Sequence, residues 1–254
     1  MSLEPGPDET LDRILLGTIA LIQGKRGYRT AMDSPLLAWF AAQHQPEART
    51  ALDLGAGTGL VSLVLGRALP QLHLQLLEKQ PLLLDRARRN LLLNGLEMRA
   101  EVIAGDVADP PNLQPVQVVV CNPPYLPQTH AHPPLDTEKR LAHRESTATL
   151  RQFAQLAEQT LLPKGQTFWI FPALEAPRLL DTLAQVGLHD RAVQRVLHRP
   201  QDPSPARILV MAERGIPSLR QLPDRLIHLQ DQEDKDFHPQ LHDFLVSLRR
   251  ETSL

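Results

Sequence analysis

Apolar residues along this chain follow two spacings in turn, and that alternation lays out most of its elements. Ala51–Leu54, Leu72–Leu77, Ala100–Ala104, Val116–Cys121 and Thr167–Phe171 are short, nearly continuous apolar runs, the pattern of strands buried on both faces. Leu60–Leu69, Pro81–Leu93, Ser146–Leu162 and Leu174–Val186 carry apolar residues at helical spacing between them. Pro81 opens one helix and Asn94-Gly95 closes it, while Pro163-Lys164-Gly165 and Gly187 stop two others. Strand and helix in succession predict an α/β doubly wound sheet with helices on both faces and a ligand crevice at the strand carboxyl ends. Upstream, Glu9–Ile22 has helix-like spacing, and Pro35–Gln45 reads as a helix with Ser34 as its N-cap. Downstream, Ala192–Leu197 and Arg207–Ala212 read as paired strands. Leu226–Leu229 and Phe237–Leu248 read as a short strand and a helix packed on the outside.

Four predicted strand ends carry usable chemistry. Gly55-Ala56-Gly57-Thr58-Gly59 occupies the first strand-to-helix turn, where glycines permit positive φ and let a ligand approach the backbone. The spacing Gly-x-Gly-x-Gly departs from the dinucleotide fingerprint at Leu60, and such turns also serve as plain connectors. The next strand ends in Glu78, placed to accept hydrogen bonds from both hydroxyls of a ribose. The third ends at Gly105-Asp106, and Asp106 is suited to accept from an adenine amino group. The fourth runs into Asn122-Pro123-Pro124-Tyr125. The Asn122 side-chain carbonyl and the Pro123 backbone carbonyl can accept from one planar NH2, with the Tyr125 ring against the flat system that bears it. That arrangement suits methyl transfer to the exocyclic nitrogen of adenine or the amide nitrogen of glutamine. Taken singly, an acidic strand end or Asn-Pro-Pro-Tyr also fits an ordinary turn; four in succession fit it poorly.

With these motifs the chain resembles class I S-adenosyl-L-methionine-dependent amino methyltransferases from Thr50 to Glu213, and among them the bacterial tRNA1(Val) adenine-N6 family. The resemblance implies a Rossmann-like seven-stranded sheet with helices on both faces and S-adenosyl-L-methionine as cofactor. It places Asp53, Gly55, Ala56, Gly57, Thr58 and Gly59 on the first cofactor motif, Glu78 at the ribose and Asp106 beside the adenine, with Lys79 and Val107 also among the cofactor-binding residues. Asn122, Pro123, Pro124 and Tyr125 fall on the catalytic motif, Asn122 also bordering the cofactor. The implied organisation is a helical extension with a cofactor-closing segment (1–48), a methyltransferase domain (49–215) and a C-terminal extension (216–254). Arg29-Thr30-Ala31-Met32-Asp33 resembles the closing segment of the tRNA enzymes, which modify the adenosine just 3′ of the anticodon in a valine tRNA.

Two substrate classes remain open: adenine N6 in RNA, with tRNA favoured, or a glutamine amide of a release factor or ribosomal protein. The glutamine enzymes resemble a layout with a helical substrate domain before the glycine motif; about fifty residues precede Asp53, fewer than an ordinary separate domain. The formal charge of −2 argues against a uniformly basic nucleic-acid binder. RNA contact would then rest on local clusters, Lys139, Arg140 and Arg144 in the long segment after Tyr125, and Lys25, Arg26 and Arg29. Arg86, Arg88 and Arg89 read as the solvated face of a helix.

With 254 residues, 42% of them hydrophobic, and no apolar run long enough for a bilayer, the chain reads as soluble, with a core of its own. Met1–Thr10 is acidic and proline-rich, unlike a signal peptide. The single cysteine, Cys121, permits no internal disulfide and reads as core filler in a cytoplasmic monomer. His130 and His132 offer two metal ligands at most, so no metal is expected.

Overall fold

A computed structural model describes residues 2–26, 32–124, 150–215, 220–226 and 237–249. The elements in chain order are β1 (Glu9–Ile14), β2 (Ile19–Gly24), α1 (Asp33–His44), β3 (Thr50–Leu54), α2 (Leu60–Ala68), β4 (His73–Glu78), α3 (Pro81–Leu93), β5 (Ala100–Ala104) and β6 (Val116–Cys121). After them come α4 (Leu150–Thr160), β7 (Leu161–Pro172), α5 (Ala176–Gln185), β8 (Leu188–Leu197), β9 (Arg207–Arg214), β10 (Arg220–Gln221), β11 (Arg225–Leu226) and α6 (Pro239–Ser247). Seven strands make the body of the main sheet in the order β5-β4-β3-β6-β7-β9-β8. The first five run parallel, and β9 is antiparallel to both β7 and β8. The two-residue strands β10 and β11 extend the β8 edge.

Side-chain alternation divides the strands between two cores. Ala51, Val118, Val120, Phe168 and Ile170 face α1, α2 and α3. Leu52, Leu54, Val119, Cys121, Trp169 and Phe171 face α4 and α5. Both faces of the central strands are therefore apolar, which is why the runs at 51–54 and 116–121 show no polar alternation. Cys121 is wholly buried there, and burial pushes its thiol well above the ordinary range.

Two elements depart modestly from the sequence expectation, and a third is described only in part. Ser34 lies inside α1 instead of capping it: the helix begins at Asp33, whose carboxylate accepts from Arg207 Nε at 2.9 Å. Strand β7 begins at Leu161, not Thr167, because Pro163-Lys164-Gly165 forms an irregularity within it as Val116 pairs with Leu161 and Val118 with Gln166. The helix before it spans Leu150–Thr160; its expected start at Ser146 lies outside the described residues.

The largest departure is at the N-terminus, where Glu9–Ile22 is a hairpin and not a helix. β1 and β2 pair antiparallel around Leu15–Thr18, with Leu15, Leu16 and Gly17 at φ 51°, 59° and 80°. Every residue of β2 is buried, so it lacks strand alternation and its apolar residues imitate a helical stripe. The open edge of β2 is completed by side chains of α3 and its C-cap. Asn94 accepts from Ala20 N–H (3.1 Å) and donates to its carbonyl (2.7 Å); Asn90 does the same for Ile22 at 2.6 and 3.0 Å. Four helical residues rise about 6 Å and two strand residues about 6.8 Å, so amides four apart on α3 match backbone groups two apart on β2.

Arg86 and Arg89 are likewise not solvated. Both are buried and converge on Glu9 Oε1 at 2.9 and 2.7 Å; Arg88 alone of the three is exposed. The Arg89 hydrogen bond leads in holding the Glu9 carboxyl down at about 2, against the opposing effect of burial.

The outer helix expected near the C-terminus is present as α6, and it shares the core of α1. Leu241 and Leu245 are fully buried, Phe244 stacks on Trp39 with centroids 5.5 Å apart, and the Arg225 guanidinium lies 3.5 Å over the Trp39 ring. Arg249 donates to the Leu16 carbonyl at 2.8 Å, joining this end to the hairpin turn.

Candidate active site at the carboxyl edge of the sheet

The turn after β3 is tied to the neighbouring strand, with Gly55 and Ala56 N–H both donating to Leu77 O, at 2.9 and 3.0 Å. Gly59 has φ 84°, and a Cβ there would meet Leu76 Cδ2 at 3.2 Å. At Gly57, φ 60°, a Cβ would meet nothing within 4 Å, so this stretch of backbone borders open space. Glu78, at the end of β4, binds the turn directly: Oε2 accepts Gly57 N–H at 2.8 Å, and Oε1 accepts Lys79 and Gln80 N–H, each at 2.8 Å. Three of roughly four acceptor directions are filled, and Oε2, with one bond among those three, retains room for a hydroxyl.

Asp106 follows β5, where Gly105 N–H donates to Glu78 O at 3.0 Å. Its Oδ2 meets Lys79 Nζ at 2.8 Å and its Oδ1 accepts Ala108 N–H at 3.0 Å. The Lys79 hydrogen bond, then that of Ala108, keeps its carboxyl below the usual range. Val107 is half-buried against the α4–α5 core. Asp53 is enclosed beneath the turn, accepting the Ser62 hydroxyl at 2.8 Å; burial raises its carboxyl to about 7, the Ser62 bonds oppose that rise, and the Glu78 charge adds to it.

Asn122 follows β6, whose Cys121 is the register partner of Leu54. It is half-buried, Pro123 buried and Pro124 exposed. Adjacent strands thus present Asn122, the glycine turn, Glu78 and Asp106 in one line, three inter-strand gaps or roughly 14 Å long at ordinary spacing. Tyr125, Arg29, Lys139, Arg140, Arg144, His130 and His132 lie outside the described residues. Sequence reasoning missed Ser62, Glu9, Asn90 and Asn94 as supports of this edge. The one available signal was Asn90 inside α3, where Asn is a poor helix former; Asn94 is the C-cap, an ordinary place for it. Among the described residues, no three His, Cys, Asp or Glu are grouped to hold a metal ion, and no helix is long and apolar enough to cross a membrane.

A five-stranded parallel sheet closed by an antiparallel pair, with a glycine turn on one central strand and acids ending the next two, is the fold of the class I S-adenosyl-L-methionine-dependent methyltransferases. Residues 33–183 match the methyltransferase small domain family, and the chain belongs to it. The fold is shared with a protein of Agrobacterium tumefaciens described as a predicted O-methyltransferase: TM-score 0.65, 21% identity, 85% of this chain and 97% of that one. A Porphyromonas gingivalis protein named tRNA1(Val) (adenine(37)-N6)-methyltransferase is 31% identical over 126 residues, 48% of this chain and 49% of that protein. A release factor glutamine methyltransferase of Mycolicibacterium smegmatis is 33% identical over 140 residues, 52% of this chain and 48% of that protein. In both cases the chain spans about half the length of the curated relative.

The crevice suits the cofactor of this class. The unobstructed backbone at Gly57, the remaining acceptor room on Glu78 and the carboxylate of Asp106 match an amino-acid arm, a ribose and an adenine laid across the strand ends.

Proposed function

We propose that this chain methylates the exocyclic N6 of an adenine in RNA, with tRNA as the substrate class. The observation that carries the reading is the register of Leu54 with Cys121, which puts Asn122-Pro123 one strand away from the glycine turn. S-adenosyl-L-methionine supplies an electrophilic methyl group when bound. Gly55, Ala56, Gly57, Thr58 and Gly59 form its seat, Glu78 takes one ribose hydroxyl on Oε2, and Lys79, Asp106 and Val107 border the adenine. Asp53 supports the seat from below.

An adenine amino nitrogen is a poor nucleophile because its lone pair is delocalised into the ring. Acceptance of its two N–H bonds by the Asn122 side-chain oxygen and the Pro123 carbonyl favours a pyramidal nitrogen. Those fixed dipoles also stabilise the positive charge that grows on nitrogen. No general base is required, since the proton leaves to solvent after transfer. Tyr125 is assigned to base stacking and Lys139, Arg140, Arg144 and Arg29 to the nucleic acid, on sequence grounds alone. An unstacked loop adenosine meets the requirement for an accessible amino group. The similarity to the tRNA1(Val) enzyme supports this substrate; the similarity to the release factor enzyme favours a second reading, glutamine N5.

Incubation with radiolabelled S-adenosyl-L-methionine and, separately, total tRNA, ribosomal RNA and release factors tests the proposal. Label recovered from tRNA as N6-methyladenosine is expected. Label in the protein fraction alone would overturn the RNA reading in favour of glutamine.

A further inference from the structure

Asn90 is wholly buried in α3, and its carboxamide is fully engaged. Oδ1 accepts Ile22 N–H at 2.6 Å, while Nδ2 donates to the Ile22 carbonyl at 3.0 Å and to the Thr58 carbonyl at 2.9 Å. One side chain therefore joins the N-terminal hairpin to the glycine turn. Asn94, one helical turn on, makes the equivalent pair of bonds to Ala20 but directs its other donation to Asn90 O, at 2.7 Å. The two asparagines dock the same strand, and Asn90 is the one that reaches the turn.

The Thr58 carbonyl belongs to the peptide leading into Gly59, whose φ of 84° sets the passage from turn to helix and whose N–H closes on Ala56 O at 2.9 Å. Holding that carbonyl holds the plane of the peptide. On the other side of Asn90, β2 is fixed through its partner β1 to α3 by the buried Glu9–Arg86–Arg89 cluster. Turn and hairpin thus share one buried hydrogen-bonding group, with no solvent to substitute for it.

We propose that Asn90 is a positioning residue that couples the N-terminal hairpin to the cofactor turn. The proposal rests on the reading of that turn as the S-adenosyl-L-methionine seat. Coupling of this kind is reciprocal and local to the Ile22 end of β2: a ligand that orders the turn tightens that end, and its release weakens the ligand, whereas loosening the Ala20 end held by Asn94 leaves the turn in place.

Hydrogen–deuterium exchange of the full chain, with and without saturating S-adenosyl-L-homocysteine, tests it, alongside calorimetric binding. In the wild type the ligand should slow exchange of the Ile22 amide and its β2 neighbours by about fivefold, the scale of one net hydrogen bond, and leave β8 and β9 far less affected. Asn94→Ala should keep the ligand-dependent slowing, with a dissociation constant within about twofold of wild type. Asn90→Ala should lose the slowing and bind roughly fivefold or more weakly. Asn90→Asp, which keeps the acceptor for Ile22 N–H and loses both donations, to Ile22 O and to Thr58 O, should follow Asn90→Ala. If Asn90→Ala does not fold, wild-type exchange and Asn90→Asp decide. Ligand binding that leaves β2 exchange unchanged would overturn the proposal, as would equal loss of affinity in the Asn90 and Asn94 variants, the mark of a merely structural dock. Failure of the wild type to bind S-adenosyl-L-homocysteine is a separate result, which would refute the cofactor seat itself and the coupling with it.

Discussion

Glu78 and Asp53 show how two carboxylates near one turn acquire different characters. Glu78 takes three backbone N–H groups, while Asp53 has a hydroxyl and an enclosed, apolar setting that lifts it to about 7. The folded value lies above the unfolded 3.8, so the native state holds a proton that the unfolded chain has released. Stability attributable to Asp53 therefore falls as pH rises from 3.8 to about 7, and no further above that. Asp53→Asn, which keeps an acceptor for Ser62, should remove this fall. Urea midpoints should move in the variant's favour between about pH 4.5 and pH 8, and a constant difference would contradict the assignment. At the reacting end, Asn122→Ala should reduce turnover by about 10²–10³, the scale of removing one fixed polar group from a transition state. Binding of S-adenosyl-L-homocysteine should change by less than about twofold, the lower end of one hydrogen bond's worth. Turnover near wild type would take Asn122 out of the mechanism.

The hairpin β1–β2 and helix α3 behave as one element, held by a carboxylate between two buried guanidinium groups. With a folded value of about 2 against an ordinary 4.5, Glu9 contributes stability above pH 4.5 that is lost as pH falls toward 2. Glu9→Gln should cost about 3 kcal/mol near neutral pH because both arginines lose their shared anion. The deficit should shrink as pH falls, as measured by urea denaturation; a pH-independent deficit would contradict the ion-pair account. This element was also the least legible in sequence. The parallel strands were readable because burial on both faces writes an unbroken apolar run, and α3 because Pro81 and Gly95 mark its ends. Glu9 and its arginines lie 77 and 80 residues apart, so three arginines on one helix gave no sign that two of them face inward. Likewise β2 owes its edge pairing to asparagines on a distant helix, a partnership that no local periodicity carries. The acids at 78 and 106 and the glycine turn were legible because each sits at a strand end, where the chain itself dictates position.

Across the whole molecule, the two ends of the described chain meet on the α1 side of the sheet, where α6 packs on Trp39 and Arg249 reaches the hairpin turn. Leu245 is fully buried in the same core as Leu36 and Leu63. Leu245→Ala should therefore destabilise the entire fold by about 3 kcal/mol in a single transition. A separate early transition would show instead that α6 is an independent appendage. The central claim concerns the line of four strand ends that this packing supports. A crystal structure of the chain with S-adenosyl-L-homocysteine tests it most directly. The account predicts a ribose hydroxyl on Glu78 Oε2, the adenine beside Asp106 and the sulfur on the Asn122 side of the glycine turn. A ligand seated elsewhere, or a sulfur facing away from Asn122, would contradict it.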